Sequence, residues 1–223
     1  MKNLFKYSLA SALALGLLSC SKKEDTPAPV VITEVKTETK AISQPHDQNT
    51  MMKIMHKMMD KMDMMTMTND IDVNFANTMM MHHDGAIEMA NEELKSGDNA
   101  QMKAMATKVI TAQSKEKDEL MDFVMKHTAA THDTVGVGEF NMKDMMSMDK
   151  MDKAADLRVV TGDADNDFAT LLIVHHQAAL ESAQAELDHG KHTEIKNMAK
   201  MMIMDQGKEI KELQDWLIAN KPY

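Results

Sequence analysis

Residues 75–90 read FANTMMMHHDGAIEMA and residues 168–183 read FATLLIVHHQAALESA. The two stretches lie 93 positions apart, and the same offset carries Asp70 onto Asp163, Glu88 onto Glu181, Gly97 onto Gly190 and Leu120 onto Leu213. Roughly a third of the positions between 70 and 126 are identical to their partners, without a gap, which marks an internal duplication. The chain is expected to hold two copies of one unit, residues 49–126 and 142–219. A linker at 127–141, with Gly136 and Gly138, joins them.

Each copy reads as helix, turn, helix. Phe75, Met79, His82, His83, Ala86, Ala90 and Leu94 recur at three- and four-residue spacings, Asp70 is a suitable N-cap and Gly97 a suitable stop. Asp98 with Gln101 resembles a capping box for the next helix. That helix carries an apolar stripe of Met102, Met105, Ala106, Val109, Leu120 and Phe123, and its counterpart uses Ile195, Met198, Ala199, Met202, Leu213 and Trp216. Two such hairpins bury their stripes only against each other. The expected fold is all-α, a four-helix bundle from two helical-hairpin repeats with additional Met-rich helical segments.

Polar residues interrupt the stripes at matching places. His82 and His83 border the inward face of one helix, and Gln113 and Glu116 fall within the stripe of the next. A turn at Gly97 sets the two pairs level, and His175, His176, Gln206 and Glu209 repeat the layer. Two readings stay open. The imidazoles are metal or proton-transfer ligands, with the Glu and Gln side chains orienting them, or the layer is a buried hydrogen-bond network that fixes register.

Methionine supplies a second signal, at 27 of 223 residues. The run MMKIMHKMMDKMDMMTMT at 51–68 places Met52, Met55, Met59 and Met62 with His56 along one helix face. Met145, Met148 and Met151 repeat part of it, with Asp149 in place of His56. Such a stripe serves as core filler, as an adaptable partner surface or as an oxidant sink. The near absence of Leu and Ile from the run favours ligation instead, because thioether sulfur with imidazole selects Cu(I) and, by the same softness, Ag(I).

The N-terminus reads as an address. Lys2 and Lys6 precede a short apolar stretch, Leu9 to Leu18, that ends in Leu17-Leu18-Ser19-Cys20. The stretch is too short for a lasting membrane span. Its ending resembles the lipobox of bacterial lipoproteins, which implies a signal peptide at 1–19 and a lipid on Cys20, the single cysteine. Residues 20–48, with three of the four prolines and no aromatic residue, read as a flexible tether. The expected location is the bacterial cell envelope, facing the periplasm or the outer surface. Outside the cytoplasm thiols oxidise readily, which favours Met over Cys as a soft ligand.

Several functions are disfavoured. A net charge of −10 argues against a nucleic-acid partner. No His-Glu-x-x-His, phosphate loop or nucleophile motif occurs, and Glu-x-x-His occurs only once among the hairpins, at Glu186 and His189, so the expectation is a binding protein and not an enzyme.

The paired FANTMMMHHDGAIEMA and FATLLIVHHQAALESAQAEL motifs, each followed by a Q-x-x-E helix, resemble the family called domain of unknown function 305. The resemblance spans roughly residues 50–219 and implies a ferritin-like bundle. Met-rich members resemble periplasmic copper-binding proteins linked to copper tolerance. On this reading the metal candidates are Met52, Met55, His56, Met59, Met62, Met79, His82, His83, Met145, Met148, Met151, His175 and His176. The cargo is Cu(I), with Ag(I) or Cu(II) as related ions, for sequestration, tolerance or handover to a delivery or efflux partner. Two alternatives stand beside it: a metal-dependent oxidoreductase of ferritin-like or cuprous-oxidase type, and a Met-rich helical interaction module.

Overall fold

The side chain of Asp70 accepts a hydrogen bond from the Val73 amide at 3.1 Å, and that of Asp163 does the same for Asn166 at 2.9 Å. Each thereby satisfies one amide that a helix start leaves orphaned. The long helices of the two repeats begin at these caps. The chain is described here by a computed structural model covering residues 45–127 and 136–220, and these residues are helical without a strand. The helices are α1 (Thr50–Asp63), α2 (Ile71–Ser96), α3 (Ala100–Lys126), α4 (Val137–Asp156), α5 (Ala164–His189) and α6 (Thr193–Ala219), with a short 3-10 turn, His46–Gln48, before them.

Gly97 and Gly190 end α2 and α5 where the sequence places the turns. The next cap differs from the expected box: Asn99, not Asp98, accepts the Gln101 and Met102 amides. Asp98 and Asn99 give their own amides to Asp165 of the other repeat, at 3.2 and 3.0 Å. A carboxylate from across the bundle thus displaces the local motif. Asp72 does the same for the amides of Lys191 and His192.

The hairpins α2/α3 and α5/α6 pack together through a central α2/α5 pair, while α1 lies on α2, α4 lies on α5, and α1 touches α4. Lys108 of α3 reaches Glu209 and Glu212 of α6 at 3.5 and 3.6 Å, joining the outer helices. Phe75, Phe168 and Phe140 are fully buried in the shared core. Each such side chain contributes about 1.5 to 3 kcal/mol relative to exposure.

Met58 of α1 rests on Gly85 of α2, where a Cβ would collide with its sulfur. The absence of a side chain at Gly85 lets α1 approach closely. The α4 helix opens at Val137, inside the stretch read as linker, because Gly136 adopts a left-handed φ of 97° and turns the chain into it. Likewise the His46–Gln48 turn lies inside the stretch read as tether. The leader, Cys20, most of the tether and residues 128–135 fall outside the described residues. Among the described residues, no helix is long and apolar enough to cross a membrane.

Candidate metal-binding cleft and buried polar layer

The Met-rich stripe divides once α1 docks. Met52 and Met55 are fully buried in the core, as are Met79 and, at 2% exposure, Met151. These four expected ligands lie in the core, and of the quartet Met52, Met55, His56 and Met59 only His56 and Met59 line a cleft between α1 and α4. Sulfurs two turns further along meet a different environment.

A cleft of about 650 Å³ opens where α1 meets α4. Its walls carry Met59 and Met62 from α1, Met65 and Met67 from the following loop, and Met145, Met146 and Met148 from α4. His56, Thr78 and the aspartates 60, 63, 144, 149 and 152 complete the lining, and among the described residues no Lys or Arg belongs to it. Thus Met59, Met62, His56, Met145 and Met148 of the expected ligands are brought together, and Met65, Met67 and Met146 join them. The last three lie outside the strict stripe: Met65 and Met67 follow the helix end, and Met146 is one residue off the i, i+3 series.

The aspartates give the cleft a negative field. Asp149 pairs with Lys153 at 2.6 Å, and His56 pairs with Asp156 at 3.0 Å. One oxygen of Asp152 is buried without a hydrogen-bond partner. Burial, and then the neighbouring Asp156, raise its carboxyl above the ordinary value. Asp144 is 1% exposed, and burial pushes its carboxyl up to about 6 against the hydroxyls of Ser182 and Thr78, which pull it down. The combination of neutral sulfur, carboxylates and no cationic side chain suits a soft, positively charged guest.

The His layer forms as the repeat arithmetic predicts. The rings of His82 and His175 meet with centroids 3.5 Å apart and planes tilted by 32°, at the α2/α5 contact. His175 Nε2 lies 2.9 Å from the His82 carbonyl and donates to it. Outside this pair, His83 Nε2 faces Glu116 at 2.9 Å and His176 Nε2 faces Glu209 at 2.9 Å. Gln113 and Gln206 are buried beside them with no hydrogen-bond partner on the amide group.

All four imidazoles are fully buried. Neither nitrogen of His82 makes a hydrogen bond of ordinary geometry. Burial, followed by the adjacent His83 and His176, holds His82 well below its ordinary value of 6.5, with the His175 backbone opposing. His175 is lowered in the same way, first by burial and then by His82. Burial raises the Glu209 carboxyl, but the hydrogen bond and charge of His176, aided by Lys108, outweigh it and lower it overall. Among the described residues, no three His, Cys, Asp or Glu side chains converge to hold a metal ion.

Comparison with known proteins gives the chain its relatives. The family model described as domain of unknown function 305 matches twice, over residues 30–125 and 72–217. No curated protein matches. Among solved structures, a crystal structure of a protein of this family from Streptomyces coelicolor, described as secreted, superposes with a TM-score of 0.52 at 20% identity. The alignment covers 68% of this chain and 94% of that one, and shows a shared fold. A family model that runs across both helical hairpins, residues 72–217, places this chain in the domain of unknown function 305 family.

Proposed function

We propose that the protein is a cell-envelope lipoprotein, anchored through Cys20, that binds Cu(I), and Ag(I) as the ion of the same class, in the cleft between α1 and α4. The observation that carries this reading is the lining itself: seven methionines, one histidine and five aspartates and, among the described residues, no Lys or Arg. Thioethers are soft neutral donors that favour Cu(I) over hard divalent ions, and the surrounding carboxylates raise the local cation concentration. The role is sequestration or handover, in which no bond of a substrate is made or broken. His56 and the aspartates offer harder donors that suit transient Cu(II). A delivery or efflux partner would collect the ion at the open side of the cleft.

The His layer is read as the register-setting network. Its outer imidazoles already face carboxylates, and its inner pair is in ring contact and fully buried.

Anaerobic titration of the full chain with Cu(I), against a competing chromogenic chelator and with Zn(II) as comparison, tests the reading. Substitution of Met59, Met62, Met145 and Met148 by Leu is expected to abolish preferential Cu(I) uptake. Substitution of the buried Met52 and Met55 by Leu is expected to leave it intact. Equal uptake of Cu(I) and Zn(II), or Cu(I) uptake unmoved by the first set, overturns the proposal.

A further inference from the structure

The two repeats agree at the His layer but part where α4 meets α2 and α5. Asp144 of α4 is 1% exposed. Its Oδ2 accepts a hydrogen bond from Thr78 Oγ1 of α2 at 2.9 Å, and its Oδ1 accepts one from Ser182 Oγ of α5. The repeat offset carries Asp144, Thr78 and Ser182 onto Met51, Leu171 and Met89, which are buried and apolar. One half of the molecule fills this niche with hydrocarbon and thioether, and the other fills it with a carboxylate and two hydroxyls. The fold therefore does not require the carboxylate.

Its presence needs another explanation, because burying a carboxylate among neutral donors costs stability. Among the described residues no cationic side chain pairs with Asp144, and its carboxylate bonds are those of the two hydroxyls. The departure from symmetry falls on the cleft, where Thr78 and Asp144 form the buried wall next to Met148. A monovalent cation held by neutral thioethers keeps its full charge in partly dehydrated surroundings. Carboxylates at the mouth are screened by water, as the exposed Asp149 is, whereas one at the wall acts through a low dielectric.

We infer that Asp144 is the counter-charge of the cleft, a carboxylate held in place by Thr78 and Ser182 that neutralises a soft monovalent cation bound among the methionines. The inference rests on the reading of the cleft as a Cu(I) site. It makes Asp144 a positioning residue that need not itself ligate the ion. The thioethers supply the preference for soft metal, and Asp144 supplies electrostatic attraction for the cation from inside the wall.

The test uses the full chain with Cu(I) and, separately, Ag(I), each under chelator or ligand competition. Asp144→Asn keeps the shape and removes the charge. The triple variant Thr78→Leu, Asp144→Met, Ser182→Met installs the residues that the same fold already accommodates in the other repeat, so it guards against a misfolded single variant. Both variants are expected to stay helical by circular dichroism and to bind Cu(I) and Ag(I) at least about tenfold more weakly, the scale of one unit charge removed from a partly dehydrated site. Thr78→Val, which removes a hydroxyl and leaves the charge, is expected to lose less than the charge-removing variants. Wild-type uptake with unchanged affinity in folded Asp144→Asn and triple variants overturns the counter-charge and leaves the cleft reading standing. Absence of Cu(I) uptake by the wild-type chain overturns both.

Discussion

Glu93 of α2 is fully buried with its carboxyl beside Asp165 of α5, and neither Glu93 oxygen meets an N–H or O–H donor. Glu186 stands in the same relation to Asp72, one repeat further on. Asp165 and Asp72 are already committed to backbone amides of the opposite hairpin turn. Two carboxyls so placed are compatible only if one carries a proton, and the glutamates carry it. Burial, and then Asp165, push Glu93 from its ordinary 4.5 up to about 8, while burial, and then Asp72, push Glu186 up to about 9. Two proton-bearing latches therefore tie the repeats to each other.

The latches predict alkaline lability. Below pH 4.5 the folded and unfolded glutamates are both protonated, and above the folded value both are ionised. Between these limits the folded chain holds protons that the unfolded chain has released, so stability falls as pH rises toward 8 and 9. Glu93→Gln keeps a donor toward Asp165 and has no proton to lose. Thermal melts followed through Trp216 fluorescence are expected to lose stability between pH 6 and about 9 in wild type and to flatten in Glu93→Gln/Glu186→Gln. The expected difference at the alkaline end is about 1 to 3 kcal/mol for the two pairs, after allowing for solvent screening at the bundle ends. Identical pH slopes in the two proteins would exclude the shared-proton latch.

Gly97 and Gly190 close over these carboxyls. Their φ angles, −70° and −59°, suit any residue, so the requirement is for space. A Cβ at either position would strike the carboxyl of Glu93 or Glu186. Gly97→Ala is therefore expected to destabilise by about 1 to 3 kcal/mol, the usual cost of overpacking. Gly207, inside α6, meets nothing within 4 Å of an added Cβ. Its change to Ala is expected to stabilise by about 0.5 to 1 kcal/mol through helix propensity. Urea unfolding that gives both substitutions the same sign would contradict this account.

Much of this architecture is legible in one dimension because a helix repeats its contacts within a few residues. The stripe through Phe75, Met79 and Ala86, the caps Asp70 and Asp163, and the level pairing of His83 with Glu116 all follow from spacing. The division of the methionines does not. A run made of one residue type has no contrast between faces, so whether Met52 or Met62 is buried depends on where α4 lands, about ninety residues later. Asp144, Glu93 and Glu186 are hidden for a related reason. A carboxylate in an amphipathic helix reads as solvent-facing, and only the tertiary fold brings Thr78, Asp165 or Asp72 beside it.

The inner imidazole pair predicts a second, acid-side sensitivity. His82 and His175 are buried neutral with values well below 6.5. The unfolded chain takes up protons as pH falls through 6.5 while the folded layer does not, so the stability these residues contribute is complete above pH 6.5 and declines beneath it. His82→Leu removes a buried ring that lacks ordinary hydrogen bonds, leaves the His82 carbonyl for His175, and costs about 1 kcal/mol or less at pH 7.5. Its acid-unfolding midpoint is expected at a lower pH than in wild type, with Cu(I) uptake unchanged. A fall in Cu(I) uptake on this substitution would move the metal from the cleft into the His layer.

Docking of α1 rests on the side chain of Asn49, whose role toward Asp167 is taken in the other half by Asn141 of α4 toward Asn74, one residue off the repeat offset. Asn49 accepts the Met52 amide at 3.1 Å through Oδ1 and donates to Asp167 of α5 at 2.6 Å through Nδ2. Its counterpart under the repeat offset is Met142, which is 55% exposed, and α4 has no side-chain cap. At 14 residues α1 is too short to hold helical structure alone, so its order is borrowed from this anchor and from Met52 and Met55 in the core. Asn49→Ala is expected to cost about 0.5 to 2 kcal/mol, the range of a lost cap. Because α1 supplies Met59 and Met62 to the cleft, the loss should appear twice: as faster amide exchange in residues 50–63 and as weaker Cu(I) uptake. Asp167 keeps the amides of Thr161 and Gly162 in the variant, which confines the change to α1. Slow exchange in α1 after the substitution would show that the buried methionines alone hold the helix, and the cleft would then keep its wall without Asn49.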